Sequence, residues 1–161
     1  MRIVPTSWDV FPNALSAALQ YASLQWPLEN GWVNYNALQV LAYFVTTFIA
    51  APLALVTGLR MSAAWPARAE RLNTIYPLTL ARKIHFPVMI YFVAFIVVHV
   101  TLVFTTGALK NLGHMYASTD QESWLGFGIF SLSLAVMVGA WFAARPVLLR
   151  PLASLTGKVG R

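Results

Sequence analysis

Three long runs of apolar residues, separated by polar and basic stretches, set the pattern of the chain. The first runs from Asn36 to Leu59 without a charged side chain, and Gly58 and Arg60 mark its end. The second runs from Ile84 to Leu109, also uncharged, and the third from Trp124 to Ala144. Each matches or exceeds the ~20 residues that a helix needs to cross bilayer hydrocarbon. The pattern therefore predicts transmembrane helices over 36–59, 84–109 and 124–144, within one domain covering 35–145. Pro52 is predicted to kink the first helix by removing a backbone hydrogen bond. Pro87 is expected in the first turn of the second, where a missing amide costs little. Gly126 and Gly128 at the entry to the third allow close helix approach.

Ahead of these runs, residues 1–12 hold two prolines and two aromatics without periodicity, and read as an irregular interfacial segment. From Asn13 the pattern changes. Leu15, Leu19, Ala22 and Trp26 recur at helical spacing, with Ser16, Gln20 and Ser23 on other faces. This predicts a short amphipathic helix over 13–26, stopped by Pro27, lying on a membrane surface or packed on a partner. Residues 27–34 read as a turn centred on Asn30 and Gly31, closing an N-terminal segment of 1–34. Residues 60–83 form an arginine-rich loop, 110–123 a polar loop, and 146–161 a basic, proline-broken tail. The expected fold class is all-α: an integral membrane helical bundle of three spans with a short N-terminal amphipathic helix.

Composition sharpens this reading. Hydrophobic residues make up 58% of the 161 and charged residues 10%, whereas soluble domains carry about 25% charged. The chain has no cysteine, which excludes disulfides, thiolate haem ligation, covalent c-type haem and iron–sulfur clusters held by this chain. The net charge of +6 does not point to nucleic acid, because the basic residues cluster at the ends of apolar runs. Lipid head groups and the positive-inside rule account for them better. That rule puts the 60–83 loop and the tail in the cytoplasm and the N-terminus outside, in a multi-pass inner (plasma) membrane protein. No basic n-region precedes an apolar h-region, so no cleavable signal peptide is expected.

The chemistry lies in the second run, which carries His85 and His99. Fourteen residues at helical pitch leave the two imidazoles about 40° apart around the helix and about 21 Å apart along it. An ionisable side chain within a span is a functional candidate by default. Two in register point to axial ligands for two stacked haems, since a neutral imidazole ligates iron without burying a charge. Val88, Met89, Phe92, Phe95 and Ile96 would wall the macrocycle, or simply pack as helix neighbours. Arg82, Lys83 and Arg60 are candidate partners for haem propionates, or snorkelling cations at helix ends. His85 alone reads equally as an interfacial histidine. His114 reads as a polar loop residue or as a propionate or quinone contact. No HExxH, Walker loop, GxSxG or paired intramembrane carboxylates occur.

Two histidines fourteen apart on one helix resemble the transmembrane b-type cytochrome subunits of formate dehydrogenases, nickel–iron hydrogenases and thiosulfate reductases. YNALQVLAYFVTTFIAAPLALVTGLRMS, ARKIHFPVMIYFVAFIVVHVTLVFTTGALKNLGHMYA and SWLGFGIF look like the cytochrome b/b6-domain proteins of that superfamily. The likeness runs from Arg2 to Ala144 and is most specific in the paired-histidine helix. The resemblance implies that the helix over 84–109 ligates both haems, through His85 and His99 as metal ligands. It also implies that the subunit passes electrons between a redox catalytic subunit and the quinone pool. The family's two preceding helices, which carry the opposing axial histidines, have no counterpart here. The resemblance thus implies a shortened or split form binding one or two haems b. The missing ligands would come from a partner membrane subunit or a second copy in a homodimer. In the formate dehydrogenase relatives the His85 end of this helix faces outside, opposite to the orientation given by the arginine loop. The alternative reading is a non-haem membrane anchor or assembly subunit that uses the histidines as interhelical hydrogen-bond residues. A small transporter or channel component is a third. None of these makes the chain an enzyme beyond electron transfer.

Overall fold

The computed structural model describes residues 3–26, 34–66 and 68–145, and every regular element among them is helical. The expected turn at Asn30 and Gly31 and the basic tail over 146–161 lie outside the described residues. Three helices are long and apolar enough to cross a membrane: Ala37–Met61, Leu78–Thr105 and Trp124–Ala143. The chain divides after Leu102 into two compact units.

The first unit begins with α1, Val10–Ala22. It starts three residues earlier than predicted because a Ser7–Asp9 turn launches it: Ser7 Oγ donates to Asp9 Oδ2 at 3.0 Å, and Val10 N donates to Ser7 O at 3.3 Å. Pro12 is tolerated in the first turn, where the amide has no intrahelical acceptor. The helix ends at Ala22, four residues short of the expected Trp26, where Leu24 at a φ of 59° turns the chain before Pro27 is reached. Its buried residues are Ala14 and Ala17, while Leu15 and Leu19 are exposed. The small side chains face inward and let α1 lie close to the next helix; Asn36 Nδ2 donates to Tyr21 Oη at 3.2 Å across that contact.

Helix α2, Ala37–Met61, starts on a capping box. Gln39 N donates to Asn36 Oδ1 at 2.9 Å, and Asn36 N donates to Gln39 Oε1 at 3.0 Å, which satisfies two otherwise orphaned amides. Where a kink is expected at Pro52, the helix widens into a π turn over Val45–Ala50 immediately before it. Proline lacks an amide and its ring crowds the carbonyl four residues back, and a π turn is one way for a helix to absorb that. A short helix α3, Glu70–Ile75, sits inside the arginine-rich loop.

Helix α4, Leu78–Thr105, begins six residues ahead of the predicted start. Leu80 N and Ala81 N donate to Pro77 O at 3.1 and 3.2 Å, so Pro77 is the initiating signal and the helix nucleates on it. Arg82 and Lys83 are consequently helical. Pro87 lies inside the helix rather than in its first turn, so position 87 offers no amide to the carbonyl of Lys83.

The second unit runs from Val103. Gly107, at a φ of 127°, terminates α4, a conformation that suits glycine. Asn111 Nδ2 donates to Val103 O at 2.9 Å and to Thr106 Oγ1 at 2.8 Å, capping the end of that helix. The expected polar loop is partly helical: α5, Ala108–Leu112, continues as a π turn over Gly113–Ala117. Helix α6, Trp124–Ala143, packs on it through Gly126, which is buried. A Cβ there would fall within 3.0 Å of the backbone of Leu112 and Gly113, whereas Gly128 has nothing within 4 Å. Of the two glycines expected to permit close approach, only Gly126 does so. Phe130 completes the contact, 6.0 Å from the Phe104 ring and 5.7 Å from that of Tyr116.

Candidate functional site

Both candidate histidines belong to the first unit and both meet α2. His85 Nδ1 lies 2.7 Å from Thr57 Oγ1. Thr57 is 1% exposed, and its Oγ1 also lies 2.5 Å from Leu53 O. The hydroxyl has one proton and the Leu53 carbonyl can only accept, so the hydroxyl donates to Leu53 and accepts from the ring. This network makes Nδ1 of His85 the donating nitrogen and leaves Nε2 outside it. A Cβ at Gly58 would come within 3.9 Å of His85 Cε1, so the residue beside Thr57 also faces the ring.

Fourteen residues on, His99 stacks on Phe95 with centroids 5.5 Å apart and planes 8° apart. Tyr43 of α2 meets it edge-on at 6.5 Å. No hydrogen bond to its ring nitrogens occurs among the described residues. The two ends of the α2–α4 contact are thus closed by Thr57 with His85 and by Tyr43 with His99, as antiparallel helices require.

Between them lies Tyr91. Thr46 Oγ1 donates to Ala42 O at 2.7 Å and accepts from Tyr91 Oη at 2.7 Å; Tyr91 Oη also reaches Ala42 O at 3.3 Å. Tyr91 stacks on Phe95 at 6.2 Å, so Tyr91, Phe95 and His99 form a ladder at helical spacing of four. Tyr91→Phe is expected to destabilise the α2–α4 pair by about 1 kcal/mol, the scale of an interhelical hydrogen bond in a membrane. Unfolding in graded dodecyl sulfate checks this, and Thr46→Val should add little once Tyr91 is phenylalanine.

Of the residues expected to wall a macrocycle, Val88 is buried and Phe92 and Phe95 are half-buried, while Met89 and Ile96 are exposed. Arg82 and Lys83 are exposed one turn before His85. Arg60 is instead engaged in the loop: its Nε donates to Tyr76 O at 2.7 Å and its Cζ sits 4.9 Å over the Trp65 ring. His114 belongs to the second unit, where its Nε2 lies 2.7 Å from Asp120 Oδ1 and Lys110 Nζ stands 3.8 Å from the same oxygen. Thr57, Thr46, Tyr43 and Tyr91 were not evident as site residues from the chain alone. The available signal was polar side chains within uncharged spans, which need partners in apolar surroundings.

Among the described residues no three His, Cys, Asp or Glu side chains converge as a metal cluster. An iron porphyrin asks less of the protein, one or two axial groups. The donor chemistry fits: His85 is held through Nδ1, which keeps Nε2 out of that hydrogen bond, and His99 presents a ring without a hydrogen-bond partner among the described residues. No family model, curated protein or solved structure matches the chain.

Proposed function

We propose that this chain is a membrane-embedded haem b subunit that relays electrons between a redox partner and the quinone pool, as a shortened or split form of the two-haem architecture. The observation that carries the proposal is the Thr57–His85 hydrogen bond. Histidines that ligate metals characteristically donate their second ring N–H to a protein acceptor, which fixes the tautomer and raises the basicity of the ligating nitrogen. Bound haem supplies a one-electron iron couple. Thr57 holds the His85 ring, Phe95 and Tyr43 hold the His99 ring, and Arg82 and Lys83 offer charge-assisted hydrogen bonds to propionates. The remaining iron ligands would come from a partner chain or a second copy.

Membrane insertion is supported by surface chemistry. Leu55, Phe86, Val97, Leu132 and Met137, which together sample all three long helices, are each more than 60% exposed. Apolar area costs about 25 cal/mol per Å² in water, and hydrocarbon removes that cost. The location that follows is the cell membrane.

The same hydrogen bond also favours the second reading, a non-haem anchor in which His85 serves to join α2 to α4. Thr57→Val separates the two. Haemin titration followed at the Soret band, with the chain alone and co-expressed with a histidine-bearing membrane partner, should show affinity falling about 10–100-fold in the haem reading. The anchor reading predicts no Soret binding in either protein.

A further inference from the structure

Beyond the histidine face, the loop joining α2 to α4 builds a second site. Arg60, Met61, Ser62, Trp65, Asn73 and Leu78 line an open cleft of about 390 Å³. Its cation is fixed rather than free to wander. Arg60 Nε is held by Tyr76 O, its guanidinium lies on the Trp65 ring, and Trp65 Nε1 donates to Asn73 Oδ1 at 2.8 Å. The tether uses only Nε, so the terminal guanidinium nitrogens have no hydrogen-bond partner among the described residues. Guanidinium matches phosphate oxygens in fork geometry and is less strongly hydrated than an ammonium.

The surroundings specify the ligand further. Residues 60–83 carry Arg60, Arg68, Arg71, Arg82 and Lys83 against the single acid Glu70. A tryptophan whose ring is packed and whose N–H is satisfied suits the level of lipid head groups. Met61 and Leu78 add apolar lining beside the cation, which a free inorganic anion would not use.

We propose that this cleft binds the phosphate of an anionic phospholipid headgroup, with Arg60 as the fork that receives it. The site rests on the membrane reading but not on haem. Arg60 and Trp65 together orient the headgroup, and the remaining basic side chains raise the local concentration of anionic lipid.

The test is native mass spectrometry of the full chain, extracted from vesicles of phosphatidylcholine and phosphatidylglycerol at a four-to-one ratio, counting each retained lipid. The wild type is expected to retain phosphatidylglycerol preferentially. Arg60→Gln should lose that preference by about tenfold, the scale of a hydrogen-bonded charge contact. Ala63→Phe, which fills the cleft and leaves Arg60 in place, should lose it as well and guards against a folding defect in the first variant. Arg71→Gln should keep it. Equal loss in Arg60→Gln and Arg71→Gln would replace the cleft with a diffuse basic surface. Displacement of phosphatidylglycerol by millimolar inorganic phosphate would make it a free-anion site. No preference in the wild type would overturn the proposal. Failure of the chain to float with vesicles would instead remove the membrane reading beneath it.

Discussion

On the proposed function, His99→Ala is expected to remove the haem whose iron His99 would hold, halving the pyridine haemochrome yield of a two-haem assembly. The effect should exceed the roughly 10–100-fold affinity loss caused by removing an outer-shell partner, because on that reading the bond to iron would itself be lost. His99 sits between Phe95 and Tyr43, and alanine leaves that aromatic pair in place, so helix content should persist in circular dichroism. His85→Ala is expected to act on the other haem, and His114→Ala, whose ring is engaged by Asp120, to leave the spectrum unchanged. An unaltered spectrum in His99→Ala with assembly intact would transfer the histidines to the anchor reading.

Gly126→Val carries the largest structural effect. A branched side chain would enter the space held by the backbone of Leu112 and Gly113, and backbone cannot yield as the end of a flexible side chain can. Overpacking costs about 1–3 kcal/mol where neighbours can shift, so the upper end is expected here. Helix α6 would be pushed off the π turn over Gly113–Ala117. Gly128→Ala is the control: it meets nothing within 4 Å and should gain about 0.5–1 kcal/mol from reduced backbone entropy. Thermal denaturation in detergent should move the two variants in opposite directions. A stable Gly126→Val protein would show that the close contact is dispensable.

Both effects trace to features of unequal visibility in the sequence. The three apolar runs were legible because length and the absence of charge suffice to mark a span, and each corresponds to a long helix. Their edges were less so. The charges of Arg82 and Lys83 drew the start of α4 six residues late, whereas the physical determinant is Pro77, whose carbonyl accepts from Leu80 and Ala81. The 110–123 stretch looked polar because Asn111, His114 and Asp120 dominate it, yet Asn111 turns back to cap α4 and Leu112 is buried. The amphipathic helix was located by its leucines, which stay exposed, but the face it packs on α2 is that of Ala14 and Ala17, which the pattern did not single out. Intimate packing favours small residues there, and hydrophobicity alone does not rank Ala above Leu.

The candidate site was legible by half. Helical pitch gives the spacing of His85 and His99 directly. What each ring meets depends on how α2 is aligned against α4, and no local pattern encodes that alignment. Thr57 and Tyr43 could therefore be recognised as polar groups needing partners but not paired with their histidines. The π turn over Val45–Ala50 adds to the difficulty, because it shifts the face that later residues of α2 present.

On the proposed function this chain carries haem b. The most direct test is a reduced-minus-oxidised absorption spectrum with pyridine haemochrome stoichiometry, on the purified chain alone and on the chain co-expressed with a membrane partner bearing two further histidine-containing helices. A sharp b-type α-band at one or two haems per chain, in either preparation, is the predicted result. No haem in both would contradict the electron-transfer account and leave a membrane anchor joined through Thr57 and His85.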